Sequence, residues 1–198
     1  MPRIPASERR VALVLAAVQV IGRGGVSAAT TRAIVAEAGM SLASFHYAFT
    51  SHDELMAEVV RWVIAEERGA ILPEGIEIGS LEDVARAGLQ RYFDLLRADP
   101  EREQAVNELA LYALRTPDMQ HLARQQYEGY HALAAAALTF AAEHTGSEWT
   151  RPVDEVARLL VALTDGLTLA WLVDRDDTAA GHLIDNAAAL VAGMAHTR

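Results

Sequence analysis

Cysteine and lysine are both absent from this 198-residue sequence. Without a thiol there is no disulfide, no thiolate metal ligand and no thiol nucleophile. Every one of the 17 basic residues is consequently an arginine. Long hydrophobic runs are lacking too, since none reaches the roughly 18 residues expected of a membrane span. The most apolar stretch, from Leu133 to Ala142, is alanine-rich and reads as a packed helix. The opening MPRIPASERR carries no cleavable apolar segment, so a cytoplasmic chain with no membrane partner is expected. Catalytic signatures are missing as well: there is no glycine-rich phosphate loop, nucleophile elbow or HExxH. The histidines at 46, 52, 121, 131, 144, 182 and 196 are scattered, and His121 and His131 do not stand at the i,i+4 spacing of a helical metal pair. Glu101 and Glu103 fall on different faces of their helix. No enzyme, metal site or cofactor is therefore expected, and an all-α enzyme is an alternative without a catalytic residue to name.

What is present is apolar and helical. Hydrophobic residues make up 52% of the chain, enough for a buried core in one domain or in a small module fused to a larger one. The net charge of -10 is unevenly placed. Up to Glu66, Arg3, Arg9, Arg10, Arg23, Arg32 and Arg61 balance Glu8, Glu37, Asp53, Glu54, Glu58 and Glu66. Beyond it, eleven arginines face twenty-one acids. Such asymmetry would turn the neutral end toward a polyanion and the acidic end away from it.

No segment alternates convincingly with period two, and helical periodicity dominates. A first helix is predicted over 8–21, capped by Ser7, ended by Gly24-Gly25, and striped with Val11, Leu15, Val18 and Ile21. A short second helix follows Thr30 and runs to Ala38. Gly39 makes a turn, and Ser41 caps a third helix through Tyr47. Ser51 caps a long fourth helix with Leu55, Val59, Trp62 and Val63 inward. LPEGIEIGS, residues 72–80, is the one clear linker. Helices are then predicted over 81–98, 101–115, 118–144, 153–173 and 178–195, with Pro100 and Pro117 at first-turn positions.

Residues 30–49, TTRAIVAEAGMSLASFHYAF, carry the informative pattern. Two short helices meeting at a glycine turn, the second opened by a serine cap, are the layout of a helix-turn-helix. Ile34, Val35, Ala38, Met40, Leu42 and Phe45 can pack the unit inward. That leaves Thr30, Thr31, Arg32, Ser41, Ala43, Ser44, His46 and Tyr47 to meet phosphates and base edges.

From about Arg9 to Trp62 the chain resembles the DNA-binding domain of the Tet-repressor family. The matching positions are Thr30, Ile34-Val35, Ala38-Gly39-Met40-Ser41, Phe45-His46-Tyr47-Ala48-Phe49 and Ser51-His52-Asp53-Glu54-Leu55. His46 stands at the family's usual tyrosine and His52 at its usual lysine, both phosphate contacts in the family. An imidazole titrates near pH 6.5, so the substitutions predict operator binding that tightens from about pH 8 to 6. The resemblance implies an all-α fold of about nine helices. An N-terminal three-helix domain, residues 1–52, would be joined by a long fourth helix to an effector-binding and dimerisation bundle, residues 53–198.

The resemblance further implies a repressor that holds palindromic double-stranded operator DNA as a homodimer and is released by a small organic effector. Helical projection offers Trp62, Tyr92, Leu96, Asn107, Leu111, Tyr127, Tyr130, Thr164 and Asp165 as ligand residues. Asn107 is an amide on an apolar face in need of a partner, and Glu108 with Asp165 would favour a cationic ligand. The implied two-fold pairing of the last two helices is assigned to Leu163, Leu167, Trp171, Leu183, Ile184, Leu190, Val191 and Met194. The non-enzymatic alternative is an interaction scaffold that has kept a non-functional helix-turn-helix.

Overall fold

The structure, a computed structural model, describes residues 5–71 and 79–197. The described residues form nine α-helices: α1 (Ala6–Gly24), α2 (Thr31–Glu37), α3 (Leu42–Ala48), α4 (His52–Ile71), α5 (Leu81–Ala98), α6 (Pro100–Arg115), α7 (Gln120–Thr145), α8 (Val153–Asp174) and α9 (Asp177–Ala192). Short 3₁₀ turns at Val26–Ala28 and Pro117–Met119 precede α2 and α7. Most of the predicted linker, residues 72–78, lies outside the described residues.

Local chemistry explains where the helices begin. Thr30 Oγ1 accepts the Ala33 N–H, Ser41 Oγ the Ser44 N–H and Ser51 Oγ the Glu54 N–H, each satisfying an otherwise orphaned first-turn donor. Ser80 and Asp83 cap each other reciprocally at α5. Asp99 caps α6, with Pro100 following where its missing N–H costs nothing. Asp176 takes the N–H groups of Thr178 and Ala179 at α9. α1 starts earlier than predicted, because Pro5 already holds a preset φ of -56°; Ser7 is inside the helix and is not its cap.

The helices sort into two compact units, Met1–Ala65 with Asp99–Gln126 and Glu66–Ala98 with Tyr127–Arg198. In the first, Leu13, Ala17 and Ile21 of α1 pack with Ile34, Phe45, Phe49, Leu55 and Met56, and with Leu109 and Ala113 of α6. The stripe of α1 keeps the predicted Val18 and Ile21 but is rotated at its start. Val11 and Leu15 are 50% and 40% exposed, while Leu13, Val14 and Ala17 face the core. Leu42 is likewise exposed.

In the second unit, α5, α8 and α9 enclose Leu89, Phe93, Leu96, Leu167, Trp171, Ile184 and Ala188. Leu138, Val156, Ala157, Val161 and Val191 make an adjoining cluster. One feature departs from an all-helical chain: β1 (Ser147–Trp149) pairs antiparallel with β2 (Ala195–Thr197), Glu148 opposite His196. Three residues per strand are too few to show a period-two pattern, and the last helix stops at Ala192, three residues before its predicted end. α8 is long and apolar enough, by length and composition, to cross a membrane, yet one of its faces is core.

Candidate nucleic-acid interface and ligand-binding residues

α2 and α3 are joined by a tight reversal. The Met40 N–H reaches the Val35 carbonyl at 2.7 Å and the Gly39 N–H reaches Ala36 at 3.1 Å, a Schellman closure that needs a left-handed residue between them. Gly39 supplies it at φ 62°. α3 then divides cleanly by face. Phe45 and Ala48 are buried, and Ser41, Ala43, His46 and Tyr47 are exposed, Tyr47 by 80%. Ser44 is half-buried and its hydroxyl meets that of Ser41 at 3.0 Å. On the neighbouring segment Thr30 and Arg32 are exposed and Thr31 is half-buried.

A network that sequence reasoning missed holds α3 in place. Arg10 of α1 donates to the Ala48 carbonyl at the end of α3 and to Glu54 at 2.9 Å, reaches Glu58, and lies 4.2 Å from the Phe49 ring centre. Arg23 pairs with Glu37, and Arg61 with Glu58. Among the described residues no carboxylate lies within 4.0 Å of Arg32, so its charge is left for solvent or for a phosphate. His52 differs from its predicted role. Its Nε2 lies 2.8 Å from the Ala29 carbonyl, which can only accept, so the ring donates inward and braces the entry to α2.

The predicted ligand residues separate into several environments. Leu96 is fully buried core, Leu111 is 56% exposed, and the Asn107 amide donates to the Glu103 carbonyl one turn back in its own helix. The partner that amide required is therefore internal, and the argument for Asn107 as a ligand residue falls. Glu108 accepts the Val26 N–H at 2.9 Å and so belongs to the turn before α2. Trp62 is half-buried with the Arg102 guanidinium 5.7 Å from its ring centre. Tyr92 is bonded to Thr168, and Thr164 to the Val161 carbonyl of its own helix.

Tyr127, Tyr130 and Asp165 do come together. The Tyr127 hydroxyl donates to Asp165 Oδ2 at 2.9 Å, and the Tyr130 ring packs against Tyr127 with centres 5.7 Å apart. His131 joins them at 6.1 Å from Tyr127. Its place four residues after Tyr127 on one helix was the available signal. Burial, then the nearby Asp165 charge, pushes the Tyr127 hydroxyl up to about 12. Burial also raises the Asp165 carboxyl, against the opposing pull of the Tyr127 hydrogen bond.

Of the predicted pairing residues, Leu167, Trp171, Ile184 and Val191 are buried within the chain's own core. Leu163, Leu183 and Met194 are half-buried, and Leu190 is exposed. The exposed apolar side chains of α8 are instead Leu169 and Val173, at 63% and 78%, in line with the small residues Ala162, Gly166 and Ala170.

Comparison with known proteins covers both units. The family described as bacterial regulatory proteins, tetR family, matches residues 13–59, and the BetI-type transcriptional repressor C-terminal family matches residues 81–196. Over 192 residues the chain is 34% identical to the HTH-type nicotine-responsive transcriptional repressor HdnoR of Paenarthrobacter nicotinovorans, covering 93% of this chain and 94% of that one. Among solved structures, a transcriptional regulator from Rhodococcus sp. Rha1 shares the fold with a TM-score of 0.77 at 20% identity, over 94% of this chain and 97% of that one. The multidrug binding protein EbrR, solved with imidazole, aligns with a TM-score of 0.66 at 27% identity, over 92% and 89%.

Proposed function

The chain belongs to the TetR family of bacterial regulatory proteins, and from that premise we propose that it is a cytoplasmic repressor that grips operator DNA as a homodimer and is released by a small organic effector. The observation that carries the reading is the outward face of α3. Ser41, Ala43, His46 and Tyr47 are solvent-exposed on a helix whose other face is locked by Phe45 and Ala48. No acid occurs between Thr30 and Arg32 or along α3, so nothing on that face repels phosphate. Arg32 and the hydroxyls of Thr30 and Thr31 flank it as backbone contacts. Because His52 is turned inward, phosphate contact at α4 is withdrawn from its ring, and any histidine effect on operator affinity falls to His46.

In this reading residues 1–52 contact DNA and residues 53–198 bind the effector and the second copy. The nicotine-responsive relative and the drug-binding neighbour support an organic effector. Support for pairing comes from α8, only 33% of whose apolar stretch is buried in the protomer. The exposed half, with Leu169 and Val173, needs a cover.

The test is fluorescence anisotropy with duplexes from the chain's own upstream region. A palindromic site should be bound with strong salt dependence. Tyr47→Ala should weaken it about ten- to a hundredfold, the range for losing one base or backbone contact. A folded protein that binds none of these duplexes would favour the scaffold reading.

A further inference from the structure

The carboxylates of the second unit are almost all answered by arginine or solvent. Arg86 meets Glu82, Asp83 and Asp185, and Arg97 meets Asp177. Asp165 on α8 is different. It is half-buried, it accepts one hydrogen bond at Oδ2 from Tyr127, and its Oδ1 meets no donor among the described residues. Among the described residues no arginine or histidine nitrogen lies within 4.0 Å of it. Nearby His131 is a poor source of the missing charge, because burial and then Arg158 make its ring harder to protonate, against the opposing pull of Asp165.

Beside this carboxylate stand three rings from one face of α7. Tyr130 and His131 lie edgewise to Tyr127, at interplanar angles of 66° and 62°. Behind them are the apolar side chains of Ala134, Val161 and Leu163. A partly desolvated anion without a counter-ion is costly, and an aromatic wall attracts cations through its ring faces.

We propose that Asp165 and the aromatic wall of Tyr127, Tyr130 and His131 recognise an organic cation, a protonated amine carried on a compact apolar body. The assignment rests on the effector reading given above and names its chemical class. The ammonium pairs with Asp165 Oδ1, Tyr127 holds the carboxylate in position through Oδ2, and the rings take the body. A neutral or anionic molecule of the same shape would leave the carboxylate unpaired, so the site selects by charge.

Isothermal titration calorimetry on the full chain with two molecules of similar shape tests this. Benzyldimethylamine is cationic at pH 7 and N,N-dimethylbenzamide is neutral. The amine should bind and the amide bind at least about tenfold more weakly. Asp165→Asn should weaken the amine by about ten- to a hundredfold, as for one hydrogen bond to a charged group, and leave the amide unchanged. Tyr127→Phe should weaken the amine in the same selective way, which keeps the test open should the first variant misfold. Equal affinity for both probes, no measurable amine binding, or an unchanged Asp165→Asn variant overturns the proposal.

Operator binding is measured separately by anisotropy. Release by neutral compounds and not by amines sinks the amine assignment and spares the repressor reading. Failure to bind operator sinks the repressor reading, while the calorimetry still decides for or against the amine.

Discussion

Glu54 and Asp165 carry opposite shifts, and the difference follows from what each side chain touches. Glu54 accepts the Thr50 N–H, the Arg10 guanidinium and the Thr50 hydroxyl, which together hold its carboxyl near 2, below the ordinary 4.5. A carboxyl depressed in the folded state stabilises it above the ordinary value and loses that contribution as pH falls through about 2. Thermal melts of Glu54→Gln should therefore lie below wild type at pH 7, and the two should converge between about pH 5 and 2; a constant gap would refute the assignment. Asp165 is raised by burial above its ordinary 3.8. Its folded form binds a proton more readily than the unfolded chain, so its charge destabilises the fold once pH exceeds that value. Asp165→Asn should melt at least as high as wild type at pH 7, with any advantage vanishing near pH 3. A variant clearly less stable at neutral pH would mean that the Tyr127–Asp165 bond is structural cement and not a strained recognition group.

At the scale of elements, the contact of α6 with α1 is tight enough to exclude a methyl group. A Cβ on Gly22 would stand 2.7 Å from the Glu101 carbonyl oxygen, which is backbone and cannot swing away. Gly22→Ala should cost about 1–3 kcal/mol by forcing the helices apart, lowering the melting temperature by roughly 2–10 °C. A scanning-calorimetry midpoint within a degree of wild type would show that the helices slide freely. Nothing in the sequence marks Gly22, because a close approach depends on which helix arrives, and α6 arrives from some eighty residues downstream. Signals complete within four residues were legible by contrast. Ser41 and Ser51 were read as caps and act as caps, and Thr30 caps the helix expected to follow it, while Ser7, read the same way, lies inside α1. The turn at Gly39 was legible for the same reason, and so, apart from Leu42 and Ser44, was the outward set on α3, which is what remains when a short amphipathic helix buries Phe45. The phase of α1 was not, since Val11, Leu13, Val14 and Leu15 are all apolar and periodicity alone does not choose among them. Asn107 failed differently. Its amide turns to a carbonyl four residues back, an arrangement that helical projection treats as outward need.

At the scale of the whole molecule, the proposed homodimer turns on which apolar residues the chain covers itself and which it leaves exposed. Sequence cannot separate Trp171 from Leu169, because both are large, apolar and on α8. The fold separates them: Trp171 is 7% exposed against Phe93, and Leu169 is 63% exposed. In the proposed dimer the pairing face would move from the predicted Leu167, Trp171, Ile184 and Val191 to the exposed Leu169, Val173 and Leu190, with Ala162, Gly166 and Ala170 small enough to let a partner helix approach. The proposed operator binding would need such a face, because one recognition helix reads half a site, and a palindrome presents its halves about 34–36 Å apart. The double variant Leu169→Glu/Val173→Glu places charge where apolar cover is expected and leaves the protomer core untouched. Analytical ultracentrifugation should find it monomeric, with helicity unchanged by circular dichroism. Its operator affinity should fall by about 10²–10⁴, the gain that linking two binding events provides. Leu167→Glu, aimed at a side chain 1% exposed, should instead unfold the domain, which distinguishes interface from core. A double variant that sediments as a dimer and keeps its grip on DNA would move the two-fold contact off this face of α8.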